Sequence, residues 1–350
     1  MRVVKRYGCC IVFLLACSFA SAQTLTEEFI YEQAPFAQCH ASTLAEISGG
    51  FAAAWFGGTA EGKSDVEIWF ATKKGDQWSA PRSVANGQQV SGKRYPCWNP
   101  VLFREGGQLS LFYKVGPSPR EWWGMVIRSS NDGRDWSAPA RLSEGVLGPI
   151  KNKPVLLPDG RLLAGSSTEH DGWRVHMEWT EDNGASWKKS GFLNSKGELE
   201  IIQPTILQLA DGRLHILCRS RSAGKITTAF SEDHGDTWTA ISATTLPNNN
   251  SGLDAVTLRN GQQVLVYNHL NRGRHQLHVA SSKDGKAWNA VTVLENEPGN
   301  EFSYPAIIQS KDGLVHITYT WKRRRIKYVV FDPTTIETTP IVDGAWPADQ

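Results

Sequence analysis

The stretch Ser231-Glu232-Asp233-His234-Gly235-Asp236-Thr237-Trp238 decides the fold, because the chain repeats it. A Gly set three residues before a Trp recurs at residues 71–78 (ATKKGDQW), 129–136 (SSNDGRDW), 180–187 (TEDNGASW) and 281–288 (SSKDGKAW). The tryptophans follow one another at 58, 51, 51 and 50 residues, a near-constant period that marks a structural unit rather than chance. In such a turn the Asp or hydroxyl bonds local backbone N–H groups, Gly takes a positive φ, and Trp packs between sheets.

Working outward, an apolar run, a polar Gly turn and a second apolar run lie between successive copies. They occupy residues 42–56, 100–113, 154–165, 204–217, 254–267 and 305–319, six in all. Runs rich in Val, Ile, Leu and aromatics around Asp-Gly or Gly-Gly read as β-hairpins. An alternating third strand leads into each Gly-Trp turn and a fourth leaves it. Four strands in about 50 residues is the size of a propeller blade. The sequence therefore predicts an all-β, six-bladed β-propeller filling residues 23–350 as one domain. Residues 328–332 and the tail are expected to complete the last blade, with a strand near residues 25–31.

The first 22 residues read as a signal peptide. Arg2, Lys5 and Arg6 precede an apolar run from Cys9 to Ala16, and Ala20-Ser21-Ala22 offers a cleavage site. Export to the periplasm or medium is expected, with lipid anchoring at Cys17 as the alternative. No later run is long enough to span a bilayer. After cleavage Cys39, Cys97 and Cys218 remain, and they read as small buried hydrophobes. A net charge of +2, from 37 basic and 35 acidic residues, supplies no field for nucleic acid. No phosphate loop, metal motif or nucleic-acid module appears, so no cofactor is expected. A monomer acting on a glycan is.

The turns match the Asp-box (BNR) pattern S-x-D-x-G-x-T-W, best at residues 231–238, and depart from it at Lys73, Asn131 and Lys283. Over residues 39–333 the chain resembles the sialidase superfamily. Asp boxes alone imply fold more than activity, so the residues just before each first strand carry the comparison. In a propeller they face the mouth of the channel. Here these are His40, Asn99, Lys153, Gln203 and Tyr304. The resemblance implies that His40 stands where the family has the first Arg of R-I-P, Gln203 where it has the activating Glu, and Tyr304 at the nucleophile. It also places Arg219 at the second Arg, Arg274 or Arg272 at the third, and Asp65, or Glu67 in another register, at the acid/base.

A Tyr nucleophile is the known exception to two-carboxylate glycosidases, and a phenol needs a base or cations to attack at neutral pH. Gln203 can only hydrogen bond; Glu301, Glu200, His40 or a cationic cluster must then take over. Arg219 suits a carboxylate through its bidentate fork, with Lys153, Lys114 and Asn268 as supplements. The run Lys322–Arg325 reads as a solvated strand edge, and Trp98, Trp122 and Trp123 as sugar platforms or blade bridges. The expectation is an exo-glycosidase hydrolysing a terminal acidic sugar. Asp65, Tyr304 and His40 are the catalytic candidates, and Arg219, Arg274, Gln203, Lys153, Asn99 and Asn268 the binding ones. A uronate lyase using His40 and Tyr304, or a binding propeller without catalysis, are the alternatives.

Overall fold

Residues Thr26–Phe29 pair antiparallel with Arg325–Phe331, Thr26 opposite Val330, and this contact between the two ends of the chain closes a ring of six sheets. The structure is a computed structural model that describes residues 25–347. The proposed signal peptide and Cys17 lie outside them.

Each blade is an antiparallel sheet whose first strand is innermost. Blade 1 comprises Gln38–Ile47, Gly50–Gly58 and Glu67–Lys74, with Gln77–Trp78 and Arg82–Ala85 outside. Blade 2 is built from Cys97–Glu105, Gln108–Val115, Trp123–Ser129 and Ala140–Arg141. Blade 3 is Val155–Leu156, Leu162–Thr168, Arg174–Thr180 and Lys188–Lys189. Blade 4 is Ile201–Gln208, Leu214–Ser220, Lys225–Ser231 and Ser242–Pro247. Blade 5 runs Asp254–Thr257, Gln263–Tyr267, Gln276–Ser282 and Asn289–Asn296. Blade 6 takes Phe302–Gln309, Val315–Trp321 and Arg325–Phe331, with Thr26–Phe29 outermost. The C-terminal segment departs from expectation: Thr339–Pro340 adds a fifth strand to blade 5, because the N-terminal strand already occupies the edge of blade 6.

Alternate side chains of neighbouring sheets interdigitate to form the core. Val279 of blade 5 and Ile307 and Val329 of blade 6 share one cluster, for example, each of them fully buried. Burying such a side chain contributes about 1.5–3 kcal/mol. Cys39, Cys97 and Cys218 are buried and unbridged, and burial pushes the Cys39 thiol up to about 12.

The repeated turns act as joints between blades. In blade 4 Ser231 Oγ accepts from Gly235 N at 2.8 Å and Asp233 Oδ1 from Thr237 N at 2.8 Å. Bonds from the Thr237 hydroxyl and backbone hold the Asp233 carboxyl at about 2. An arginine of the preceding blade then donates to the turn's carbonyls: Arg82 to Gly133, Arg128 to Gly184 and Arg161 to His234. The departures at Asn131 and Lys283 leave the joint intact. Asn131 Oδ1 accepts from Asp135 N in place of a carboxylate, and in blade 5 the role moves one residue to Ser282 and Asp284. Only the blade 1 copy is a plain hairpin, Lys74 pairing with Gln77.

Gly133 sits at φ +83°, and a Cβ there would lie 2.3 Å from the Phe70 ring of blade 1. Gly75 has φ +54° with open space around it. Gly133→Ala should therefore lower unfolding free energy by about 2–4 kcal/mol, summing left-handed strain and overpacking. Gly75→Ala should cost only about 1 kcal/mol. Urea unfolding of both variants measures the difference.

Candidate functional site

Four of the six first strands break register where they leave the mouth of the channel: His40/Thr43, Trp98/Val101, Ile202/Thr205 and Ser303/Ala306. Each bulge holds a non-glycine residue at positive φ, namely Ala41 (58°), Asn99 (34°), Gln203 (58°) and Tyr304 (53°). Such a conformation costs about 1–3 kcal/mol and gathers at functional sites. In three of them Pro100, Pro204 or Pro305 follows, whose missing N–H a bulge tolerates and a regular inner strand would not. In blade 1 the left-handed residue is Ala41, so His40 reaches the site from one position earlier.

Tyr304 lies at the centre, and is 9% exposed. Its hydroxyl accepts from Arg219 Nη1 at 2.5 Å and from Gln203 Nε2 at 3.4 Å. Arg219 Nη1 also donates to Gln203 Oε1 at 3.2 Å, while Asn250 takes its Nε and Nη2. The His40 ring lies 4.1 Å from the Tyr304 ring, centroid to centroid, tilted by 49°. The guanidinium carbons of Arg219 and Arg274 stand 5.6 and 5.7 Å from that centroid, and Lys151 Nζ 5.8 Å.

A third guanidinium joins them from blade 6. Arg323 Nε bonds Glu301 Oε1 at 2.9 Å, which also receives Arg274 Nη1 at 3.1 Å and the Ser303 hydroxyl at 2.8 Å. Arg323 Nη1 reaches Glu61 Oε2 at 2.6 Å. Burial alone would raise the Glu301 carboxyl; Arg323 and Arg274 outweigh it and hold it below its ordinary value. Arg323 belongs to the run read from sequence as a solvated edge. It occupies a three-residue turn, Lys322–Arg324, in which Lys322 and Arg323 both have positive φ; this folds Arg323 back to Glu301 at the start of the Tyr304 strand while Arg325 turns outward to Glu32.

The other sequence candidates fall elsewhere or partly here. Asp65 is exposed and accepts from Thr59 N at 2.8 Å and from its hydroxyl, which places it as the cap of its own turn; the carboxylate of that loop tied to the arginines is Glu61. Glu67, its register alternative, pairs with Arg94. Lys153 pairs with Asp254 at 3.0 Å across the channel and lines a cavity of about 450 Å³ among residues such as Glu46 and Ile308, so it is not brought to Tyr304. Its neighbour Lys151 is. Asn268 is fully buried, its amide donating to the Gln276 and Phe302 carbonyls, and it ties blade 5 to blade 6. Asn99 is 5% exposed, and among the described residues no group bonds its amide. Lys114 is fully buried against the Pro149 carbonyl, and Glu200 pairs with Arg221. Residues that sequence reasoning missed are Arg323, Lys151, Asn250 and Trp173, whose ring lies 5.2 Å from Arg219.

The electrostatics follow from this crowding. Burial first, then Arg323, Arg274, Arg219 and Lys151, hold His40 well below the ordinary imidazole value, so it is neutral at pH 7. Its Nδ1 is buried without a partner. Burial likewise pushes Lys151 down to about 7. A neutral base, a phenol and three guanidiniums gathered at one mouth can receive an anion and move a proton.

Comparison with known proteins follows the same line. The family model for a BNR repeat-like domain matches residues 49–317. A sialidase of Bacteroides fragilis (strain YCH46) is 22% identical over 233 residues, covering 57% of this chain and 42% of that one. The chain thus spans about two-fifths of that relative's length. Among solved structures, the Hadza microbial sialidase Hz136 superposes with TM-score 0.72 at 16% identity, covering 86% of this chain and 66% of that one. The NanB sialidase of Streptococcus pneumoniae gives 0.70 at 14%, over 89% and 71%. A Dyadobacter fermentans protein described as of unknown function gives 0.71 at 15%, over 88% and 99%. The six-bladed propeller is that of the sialidases, and the chain belongs to the BNR repeat-like domain family.

Proposed function

We propose that this chain is a glycoside hydrolase that removes a terminal acidic sugar from a glycan. The observation that carries the reading is the set of three guanidiniums around one phenol, Arg219 on the Tyr304 hydroxyl, Arg274 over its ring and Arg323 joined through Glu301. Arg219 with Arg274 forms a fork for the sugar carboxylate, and Arg323 stands in for the Arg that His40 displaces. Tyr304 attacks the anomeric carbon, and negative charge on its oxygen is met by Arg219. Gln203 cannot take the phenol proton. His40, neutral and against the ring, takes it. The leaving oxygen is protonated by a carboxylic acid of the loop carrying Glu61 and Asp65; water, deprotonated by that carboxylate, then displaces the sugar from Tyr304, and His40 returns its proton to the phenol oxygen. Glu61 is the member connected to the cluster. The charge and apolar pattern of residues 1–22 supports action outside the cytoplasm, freely or on a lipid anchor at Cys17, and the enzyme is read as a monomer.

The neutral His40 also favours a second reading. As base, with Tyr304 as acid and Arg219 neutralising a uronate carboxylate, it would serve β-elimination. Mass spectrometry of the products from sialosides, other ulosonides and uronate-capped oligosaccharides separates the two. Hydrolysis adds one water across the cleaved bond, whereas elimination adds none and leaves a product absorbing in the near ultraviolet. Turnover of none of them with retained binding would select the non-catalytic propeller.

Tyr304→Phe should lower kcat by about 10²–10⁴-fold with little change in the unfolding transition. Arg323→Ala should act mainly on KM. Of the two loop variants, Glu61→Gln should impair turnover more than Asp65→Asn. Full activity in Tyr304→Phe would overturn the assignment. Because a base with a depressed value stays active until the pH falls through that value, kcat/KM should remain level through about 6.5 on the acid side. A steep acid limb centred near that value would remove His40 from the role.

A further inference from the structure

Beside the Tyr304 cluster, between blades 2 and 3, lies a cavity of about 430 Å³ that the reading above does not use. Its walls carry the rings of Trp122, Trp123 and Phe192, the cations Arg141, Arg174 and Lys189, and two carboxylates, Glu144 and Asp171. Arg141 is exposed, stands 4.8 Å from the Trp123 ring centroid, and has no carboxylate partner among the described residues. Lys189 likewise meets only the Gly145 carbonyl. Arg174 lies 3.7 Å from the centroid of Phe192, an aromatic left 46% exposed, and shares Asp171 with Lys196. Trp122 and His176, each 4% exposed, keep one ring nitrogen without a partner. The His176 ring is fixed through Nε2 by Glu178, itself held by the backbone N–H groups of Leu147 and Gly148.

Two connections make this cavity an extension of the site. One loop separates them: Thr168, His170, Asp171 and Arg174 line the cavity, while Trp173 of the same loop stacks against Arg219. An aromatic row also runs from Tyr304 through His40, Phe56 and Trp98 to Trp122, with successive centroids 4.1, 5.6, 6.2 and 6.0 Å apart. Flat indole faces bind the apolar face of a sugar ring, and an unpaired guanidinium beside them binds its carboxylate. A neutral sugar would leave Arg141 with nothing to do, and a nucleic acid or protein partner would not need a cleft joined to the site by a single loop.

We propose that the cavity between blades 2 and 3 is a subsite for a second, carboxylate-bearing sugar on the leaving-group side of the scissile bond, stacked on Trp123 with its carboxylate on Arg141. The substrate is then an acidic oligosaccharide with more than one charged unit. This rests on the hydrolase reading for its position relative to the cleaved bond, though not for binding itself.

The test is calorimetric titration of the full chain carrying Tyr304→Phe with trigalacturonate, a hyaluronan tetrasaccharide and neutral cellotriose. At least one acidic oligomer should bind and cellotriose should not. Adding Arg141→Ala or Trp123→Ala should each weaken that binding about tenfold, the scale of one charge-assisted contact. Arg141→Glu, an exposed change that leaves the fold alone, should abolish it. The proposal is overturned if neither acidic oligomer binds, or if the Arg141 variants bind as tightly as their parent. If they weaken binding while the unsubstituted chain releases no sugar from the acidic oligomer that binds, the hydrolase reading fails and the subsite stands.

Discussion

The site depends on a backbone conformation that L-residues avoid. Holding Gln203 and Tyr304 at φ near +58° and +53° interrupts the inner strand just before proline, and the interruption brings the two side chains together across the channel. In a regular strand alternate residues would face opposite sides of the sheet, and a proline there would cost a ladder bond. Blades 3 and 5 do without the bulge. Their first strands are short, Val155–Leu156 and Asp254–Thr257, and their contribution is the Lys153–Asp254 pair that crosses the channel. Thr205 and the Ile307 backbone N–H also bond Asp254, so one carboxylate links blades 3, 4, 5 and 6. The ring thus has four blades shaped by the site and two that hold it shut.

That division explains what could be read in advance. The Gly-Trp turns and hairpins are local signals repeated many times, so blade number follows from period alone. Residues set beside a strand's proline, Gln203 and Tyr304, are also legible, since the bulge is itself a local feature. Arg323 is not. It lies in a basic run with the composition of a solvated edge, and only the two positive φ angles at Lys322 and Arg323 separate its direction from that of Arg325. Lys151 and Lys153 show the same limit two residues apart: one turns to Tyr304 and the other to Asp254. Asn268 and Asp65 have the right chemistry at the right distance along the chain, yet the N–H donors of Asn268 and the carboxylate of Asp65 are bonded to the scaffold. Sidedness across a channel is a long-range property, and a single sequence carries little of it.

The cluster differs from an ordinary surface patch of charge in how little water reaches it. Arg219 and His40 are 6% and 2% exposed, and Asn250 and Gln203 satisfy the guanidinium that would otherwise be buried alone. A buried charge left unpaired is costly, and here neutral amides supply the hydrogen-bond partners of the central cation. Gln203 fits that logic: its amide oxygen accepts from Arg219 and adds no negative charge beside it.

The strand Thr26–Phe29, which seals blade 6, has a consequence for how the protein forms. Its partner strand lies near the other end of the chain, so a ribosome must make more than three hundred residues before the ring can close, and contacts so distant in sequence fold slowly. Blade 6 also carries Tyr304, Glu301 and Arg323. The N-terminal strand and Tyr304 therefore share one blade, and a chain still open at that seam would keep Tyr304 beside Arg219, Arg274 and Arg323 but apart from His40 and Glu61 of blade 1. Completion of the Tyr304 cluster in this architecture is a report that the ends have met.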